Sequence, residues 1–144
     1  MDRKLEVAVD LLGLLLEETS RARGAVLCHR RTTVAMAWSY ETKEVISVGY
    51  NGPAALSCSG ERGSCGCAHA EVRMLADGLV AIANHPCQGL LLLSTLAPCI
   101  NCANLLLALR KFRTVLYLHE WRAEDPRSKM LLRAGGIDVR KFSV

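Results

Sequence analysis

Aromatic side chains are scarce in this chain, with two Trp, three Tyr and two Phe among 144 residues. So few rings do not furnish a long channel on which successive bases of a polynucleotide would stack, and polynucleotide binding is not expected. There is no internal repeat, no low-complexity segment and no linker. Neither sign of charge dominates, and a formal net charge of +4 suits a phosphorylated small molecule as well as a polynucleotide while requiring neither. Long apolar runs are also missing. The N-terminal stretch MDRKLEVAVDLLGLLLEETS is interrupted by Glu6 and Asp10, which makes it a poor signal-peptide core and too short and charged to span a bilayer. The expectation is a cytoplasmic protein without a membrane partner.

What remains is an ordinary globular composition, 51% hydrophobic and 22% charged, in a length that fits one domain over residues 1–144. In the first helix Glu6, Asp10, Gly13 and Glu17 form a narrow polar stripe, and Leu5, Val9, Leu12, Leu15 and Leu16 cover much of the rest. That pattern predicts a helix buried on most sides, with apolar surface that could supply a subunit interface. Seven cysteines, an odd number without a secretory signal, argue against a disulfide framework and for metal ligands or reactive thiols. They cluster: Cys28, then Cys58, Cys65 and Cys67, then Cys87, then Cys99 and Cys102.

The stretch TTVAMAWSYETKEVISVGYNGP predicts a hairpin turning around Glu41–Lys43. Residues 53–67, rich in Gly, Ser and Cys, read as a loop. A helix is expected from about Ala68 to Ala83, then the doubly buried strand GLLLLSTL. Pro98 opens the helix of CINCANLLLALRKF, RTVLYLHE is a strand, DPRSKMLLRAGG a short helix and IDVRKF the last strand. The order α-β-β-α-β-α-β-α-β predicts a three-layer α/β/α domain with a mixed five-stranded sheet, parallel in its second half.

Chemistry concentrates in CAHAEVRMLADG and STLAPCINCANLL. Cys99 and Cys102 project from one face of a first helical turn, where exposed N–H groups and the dipole favour thiolate. His69 opens the other helix, and helices that follow adjacent strands bring their N-termini to one edge of a sheet. His69, Cys99 and Cys102 then make three zinc ligands and leave the fourth position to water, the catalytic pattern. The metal lowers the pKa of that water to about 7, and Glu71 is placed as proton carrier. Taken singly, each feature fits a plainer role: a capping histidine, a glutamate complementing a helix dipole, a redox CxxC. A structural alternative is a four-thiolate site on Cys65, Cys67, Cys99 and Cys102, which would leave Glu71 with no role.

H-x-E followed by P-C-x-x-C is the signature of zinc nucleobase deaminases. With SVGYNGP (47–53), STLAPCINCA, TVLYLHEW and LLRAGGIDV, the chain resembles the deoxycytidylate (dCMP) deaminase branch of the cytidine deaminase superfamily from about residue 26 onward. The resemblance implies a catalytic zinc on His69, Cys99 and Cys102, with Glu71 as proton shuttle. It implies that dCMP is hydrolysed at C4 of the ring to dUMP and ammonia, in pyrimidine deoxynucleotide metabolism. It also implies substrate contacts from Asn51, to the sugar, and from Ala70, with Tyr117 and Trp121 near the base. Arg31, beside Arg30, is a candidate for the phosphate. Some members hold a second, structural zinc, for which Cys28, Cys58, Cys65 and Cys67 are the candidates; buried free thiols are the plain alternative. Members are homo-oligomers, commonly hexamers. Arg73 stands where many carry Asn, and no basic group near Val80 would meet a regulatory triphosphate. The competing functions are a deaminase of a modified deoxycytidylate, of another cytosine nucleotide or of single-stranded nucleic acid, and a non-catalytic zinc module.

Overall fold

Strand β1 (Val34–Ser39) is buried at every position, so the sheet containing it must be covered on both faces. The computed structural model describes residues 3–21, 33–53, 67–86, 89–120 and 126–142. In chain order its elements are α1 (Arg3–Arg21), β1, β2 (Val45–Tyr50), β3 (Gly52–Pro53), β4 (Cys67–Ala68) and α2 (Ala70–Asn84). There follow β5 (Leu90–Leu96), α3 (Ile100–Leu109), β6 (Phe112–His119), α4 (Arg127–Ala134) and β7 (Asp138–Lys141). The main sheet has five strands in the order β2-β1-β5-β6-β7. β1 runs antiparallel to β2 and to β5, while β5, β6 and β7 are parallel. The expected three layers and mixed sheet are what the structure has.

Side chains alternate across a strand, and the two faces of β1 are filled differently. Val34, Met36 and Trp38 pack with Leu91, Leu93, Leu116 and Phe142 under α1. Ala35 and Ala37 lie on the other face with Leu90, Leu92, Val115 and Tyr117, under α2, α3 and α4. Bulk on one side and alanine on the other lets α2 settle close to the sheet. The approach is closest at Gly49 of β2, where an added Cβ would sit 2.3 Å from the Met74 nitrogen and 2.4 Å from the Ala70 oxygen. At Gly78 a Cβ would meet that of Ser47 at 2.3 Å, and the Ser47 hydroxyl donates to the Met74 carbonyl at 2.8 Å. Gly49 thus matters for packing, because it seats the helix that His69 opens and whose first turn carries Glu71.

Three details depart from expectation. α1 is buried on one side rather than most. Leu5, Ala8, Val9 and Leu12 face the core, but Val7 and Leu14 remain 58% and 59% exposed, because only one side of this helix meets the sheet. The span 53–67 is not loop throughout, since Gly52 pairs with Ala68 and Pro53 with Cys67. That two-residue ladder holds Ala68 extended, so α2 begins at Ala70 instead of Ala68. Among the described residues no helix is long and apolar enough to cross a membrane.

β6 and α4 are joined by a polar cluster at the end of the sheet. Tyr117, 4% exposed, donates its hydroxyl to Glu120 at 2.9 Å and accepts from Lys129 at 3.2 Å. Lys129 reaches Glu120 at 2.6 Å. The hydrogen bond from Lys129 holds the Glu120 carboxyl below its ordinary value. For Lys129 burial pulls downward, but the bonds to Glu120 and Tyr117 prevail and raise it.

Two outcomes follow from this packing. Gly49→Ala should lower the unfolding free energy by about 1–3 kcal/mol or more, since backbone rather than a yielding side chain opposes the methyl; an unshifted denaturant midpoint would contradict the close approach. Stability contributed by Glu120 is present above the unfolded carboxyl value, 4.5, and is lost as pH falls through its lower folded value. The Lys129 contribution is present below 10.5 and is lost as pH rises through its higher folded value. Thermal unfolding of Lys129→Met should therefore depend less on pH at both the acid and the alkaline end than that of the unaltered chain.

Candidate metal centre and active site

Helices are ordinarily opened by Ser, Thr, Asp or Asn, whose side chains bond to the free N–H groups of the first turn. Here α2 is opened by His69 and α3 by Cys99, both with extended backbone, and neither side chain caps its helix. They turn toward each other: Cys99 Sγ lies 3.4 Å from His69 Nδ1. Cys102, one turn into α3 and buried, places its Sγ 3.6 Å from the same nitrogen. The first intrahelical bonds form regardless, from Arg73 N–H to His69 O and from Ala103 N–H to Cys99 O.

The topology explains the meeting. Parallel β5 leads toward α3, and the β3–β4 ladder brings the chain entering α2 back beside the end of β2. Both helix N-termini consequently open at one edge of the sheet, where their dipoles favour negative sulfur. Donor atoms of His69, Cys99 and Cys102 all lie within 4.8 Å of one another. Zinc bonds of about 2.3 Å to sulfur and 2.0–2.1 Å to nitrogen make the N···S edge of a tetrahedron roughly 3.5 Å. The two observed edges, 3.4 and 3.6 Å, match that length, so the residues present fit zinc.

Charge is distributed to suit a cation. A hydrogen bond from the Cys102 thiol brings Cys99 down to about 4, with His69 adding to the effect and burial opposing it. Sharing its proton with Cys99, then burial and the Glu71 carboxylate, push Cys102 up. Binding a cation requires both sulfurs as thiolates, so metal entry would release any proton the pair shares. Glu71, on the first turn of α2, is 6% exposed. Burial raises its carboxyl above the usual range, opposed by a backbone hydrogen bond, the Ser94 hydroxyl and the nearby His69. Its Oε1 accepts from Ser94 Oγ at 2.9 Å and its Oε2 lies 3.8 Å from Cys102 Sγ.

The remaining sequence candidates fall in different places. Asn51 ends the run of β2, and its Oδ1 accepts from the Thr33 N–H at 2.7 Å. Next to it Gly52 pairs with Ala68, the neighbour of His69, so Asn51 stands at the site's rim while also anchoring the start of β1. Ala70 is 1% exposed at the first position of α2. Tyr117 lies across the ladder from Ser94, with its hydroxyl engaged by Glu120 and Lys129. Arg31, Trp121, Cys28, Cys58 and Cys65 lie outside the described residues, as does the side chain of Cys67, so the proposed second zinc falls outside them too. Ser94 was not anticipated. Its signal is a hydroxyl breaking a run of leucines in a strand buried over its first six positions.

Among the described residues, three metal donors and a buried carboxylate meet at the strand ends of a three-layer sheet. The chain belongs to the family described as the cytidine and deoxycytidylate deaminase zinc-binding region, whose model matches residues 10–119. No curated protein matches it by sequence. Among solved structures it is similar to the dCMP deaminase of cyanophage S-TIM5 in complex with dCMP and dUMP, at 22% identity and TM-score 0.71, covering 99% of both chains. It is also similar to a diaminohydroxyphosphoribosylaminopyrimidine deaminase/5-amino-6-(5-phosphoribosylamino)uracil reductase of Thermotoga maritima, at 17% identity and TM-score 0.62, covering 91% of this chain and 35% of that one. A guanine deaminase from Nitrosomonas europaea matches at 16% identity and TM-score 0.58, over 90% of this chain and 74% of that one. At these identities what is shared is the fold.

His69→Ala and Cys102→Ser should each lower zinc retained after dialysis at this centre, read by elemental analysis, whereas Glu71→Gln should retain it. Loss of zinc in Glu71→Gln equal to that in His69→Ala would make Glu71 a ligand and contradict the assignment.

Proposed function

We propose that this chain, acting over residues 1–144 as one cytoplasmic domain, hydrolyses deoxycytidylate to deoxyuridylate and ammonia. The observation that carries this reading is the donor triangle with a buried carboxylate beside it: His69, Cys99 and Cys102 at tetrahedral spacing, and Glu71 Oε2 3.8 Å from Cys102 Sγ. Zinc held there would supply a water acidified to about neutral pKa. Glu71 would take a proton from the attacking water and pass it to N3 as the hydroxyl adds to C4. It would then take the proton of that C4 hydroxyl and hand it to the amine, so that the C4–N bond breaks as the C4 carbonyl forms. Burial suits the carboxyl to this traffic, because it disfavours the charged form and so raises the carboxyl's affinity for the proton it must carry. Water and substrate together yield dUMP and ammonia, and Glu71 ends as it began.

For the nucleotide, we assign Asn51 to the sugar and Ala70 and Tyr117 to the border of the base. Trp121 and Arg31, from segments flanking the described strands, are assigned to base and phosphate. The cyanophage protein named above, whose structure holds dCMP and dUMP and which spans the same length, supports the choice of a deoxynucleotide. We further infer a homo-oligomer, supported by Val7 and Leu14 left open on α1 and Leu79 and Val80 on α2.

Ammonia release measured with dCMP, dCTP, cytidine, 5-substituted dCMP and single-stranded DNA should be fastest with dCMP. Glu71→Gln should reduce it by a factor on the order of 10²–10⁴. Faster turnover of DNA or a modified nucleotide would move the substrate elsewhere, and full activity in Glu71→Gln would refute the proton-transfer role.

A further inference from the structure

Strand β5 reads LLLLSTL, and its two hydroxyl residues are both shut away from solvent, Ser94 at 0% exposure and Thr95 at 3%. A buried hydroxyl is unfavourable unless it finds a hydrogen-bond partner. Their side chains point to opposite faces of the strand and find different ones. Thr95 Oγ1 accepts from the Val34 N–H at 3.0 Å and is 3.3 Å from the Val34 oxygen, stitching β5 to the start of β1. That contact is structural.

Ser94 faces the layer of α2 and α3. Its neighbours along the ladder, Ala35 on one side and Tyr117 on the other, do not take its proton. The hydroxyl donates instead to Glu71 Oε1 at 2.9 Å, from a position 23 residues away in the chain. The last torsion of a glutamate is broad and roughly two-fold, so an unheld carboxylate samples a range of planes. With Oε1 tethered, the plane is set and Oε2 is directed at the sulfur cluster, 3.8 Å from Cys102 Sγ.

We propose that Ser94 is a positioning residue for the deamination: its hydroxyl fixes the plane of the Glu71 carboxylate so that Oε2 faces the metal donors and the reacting ring. The assignment rests on the role given to Glu71 above. The carboxylate is the partner that takes the proton of this buried hydroxyl.

The test compares zinc-loaded unaltered enzyme with Ser94→Ala. The variant should lose kcat on dCMP by roughly 10- to 100-fold, the scale of a hydrogen bond to a charged group, with KM and zinc per chain unchanged. A merely structural serine would instead move zinc content, or KM together with kcat. A second readout needs no substrate: with ¹³C-labelled glutamate, the Glu71 carboxyl resonance, assigned by its absence in Glu71→Gln, should shift or broaden in Ser94→Ala. An unchanged resonance, or an unchanged kcat, overturns the positioning role. If the unaltered enzyme deaminates none of the cytosine substrates, the functional reading fails, and the carboxyl resonance alone still decides whether Ser94 holds Glu71.

Discussion

Two helices begin at the same place, and the rest of the molecule is arranged to let them. His69 and Cys99 occupy positions where a capping side chain would ordinarily satisfy free N–H groups, and neither does so. A lost cap costs about 0.5–2 kcal/mol. What replaces it is a donor set whose assembly depends on packing elsewhere: Gly49 against the backbone of α2, alanines on the inner face of β1, and the short β3–β4 ladder. A bound cation would return that energy by tying the two helix ends together.

The same edge of the sheet collects unlike electrostatic demands. Helix N-termini favour anionic sulfur, while burial disfavours the charge on Glu71. A carboxylate beside thiolates is stable only if something else bears part of the charge, and the two neutral contributors are the Ser94 hydroxyl and a backbone N–H. A cation among the donors completes the balance. The polar cluster of Tyr117, Glu120 and Lys129 lies one strand further along, has its own internal compensation, and serves to bind α4 to β6.

The layers, the succession of elements along the chain and the three donors were legible in the sequence, whereas the order of strands across the sheet was not. Helical spacing puts Cys102 one turn after Cys99, and a continuous apolar run marks the doubly buried β5. Contacts made by the fold alone left no such trace. Ser94 meets Glu71 only because β5 and α2 lie together, and a serine among leucines has no period. The packing role of Gly49 left no mark either, since a glycine in a sequence does not tell whether it admits a ligand or a neighbouring helix. Two-residue strands are too short for alternation to reveal, which moved the start of α2. The outward side of α1 was misjudged because leucines count as apolar whether or not anything covers them.

Everything turns on whether the fourth ligand of the metal is solvent. A crystal structure of the zinc-loaded protein, with the ion located by anomalous scattering, answers this directly. The expected result is zinc on His69 Nδ1 and the Sγ atoms of Cys99 and Cys102, with a solvent oxygen completing the tetrahedron on the side of Glu71. A fourth protein donor there, such as Cys65 or Cys67, would make the centre structural and contradict the catalytic role.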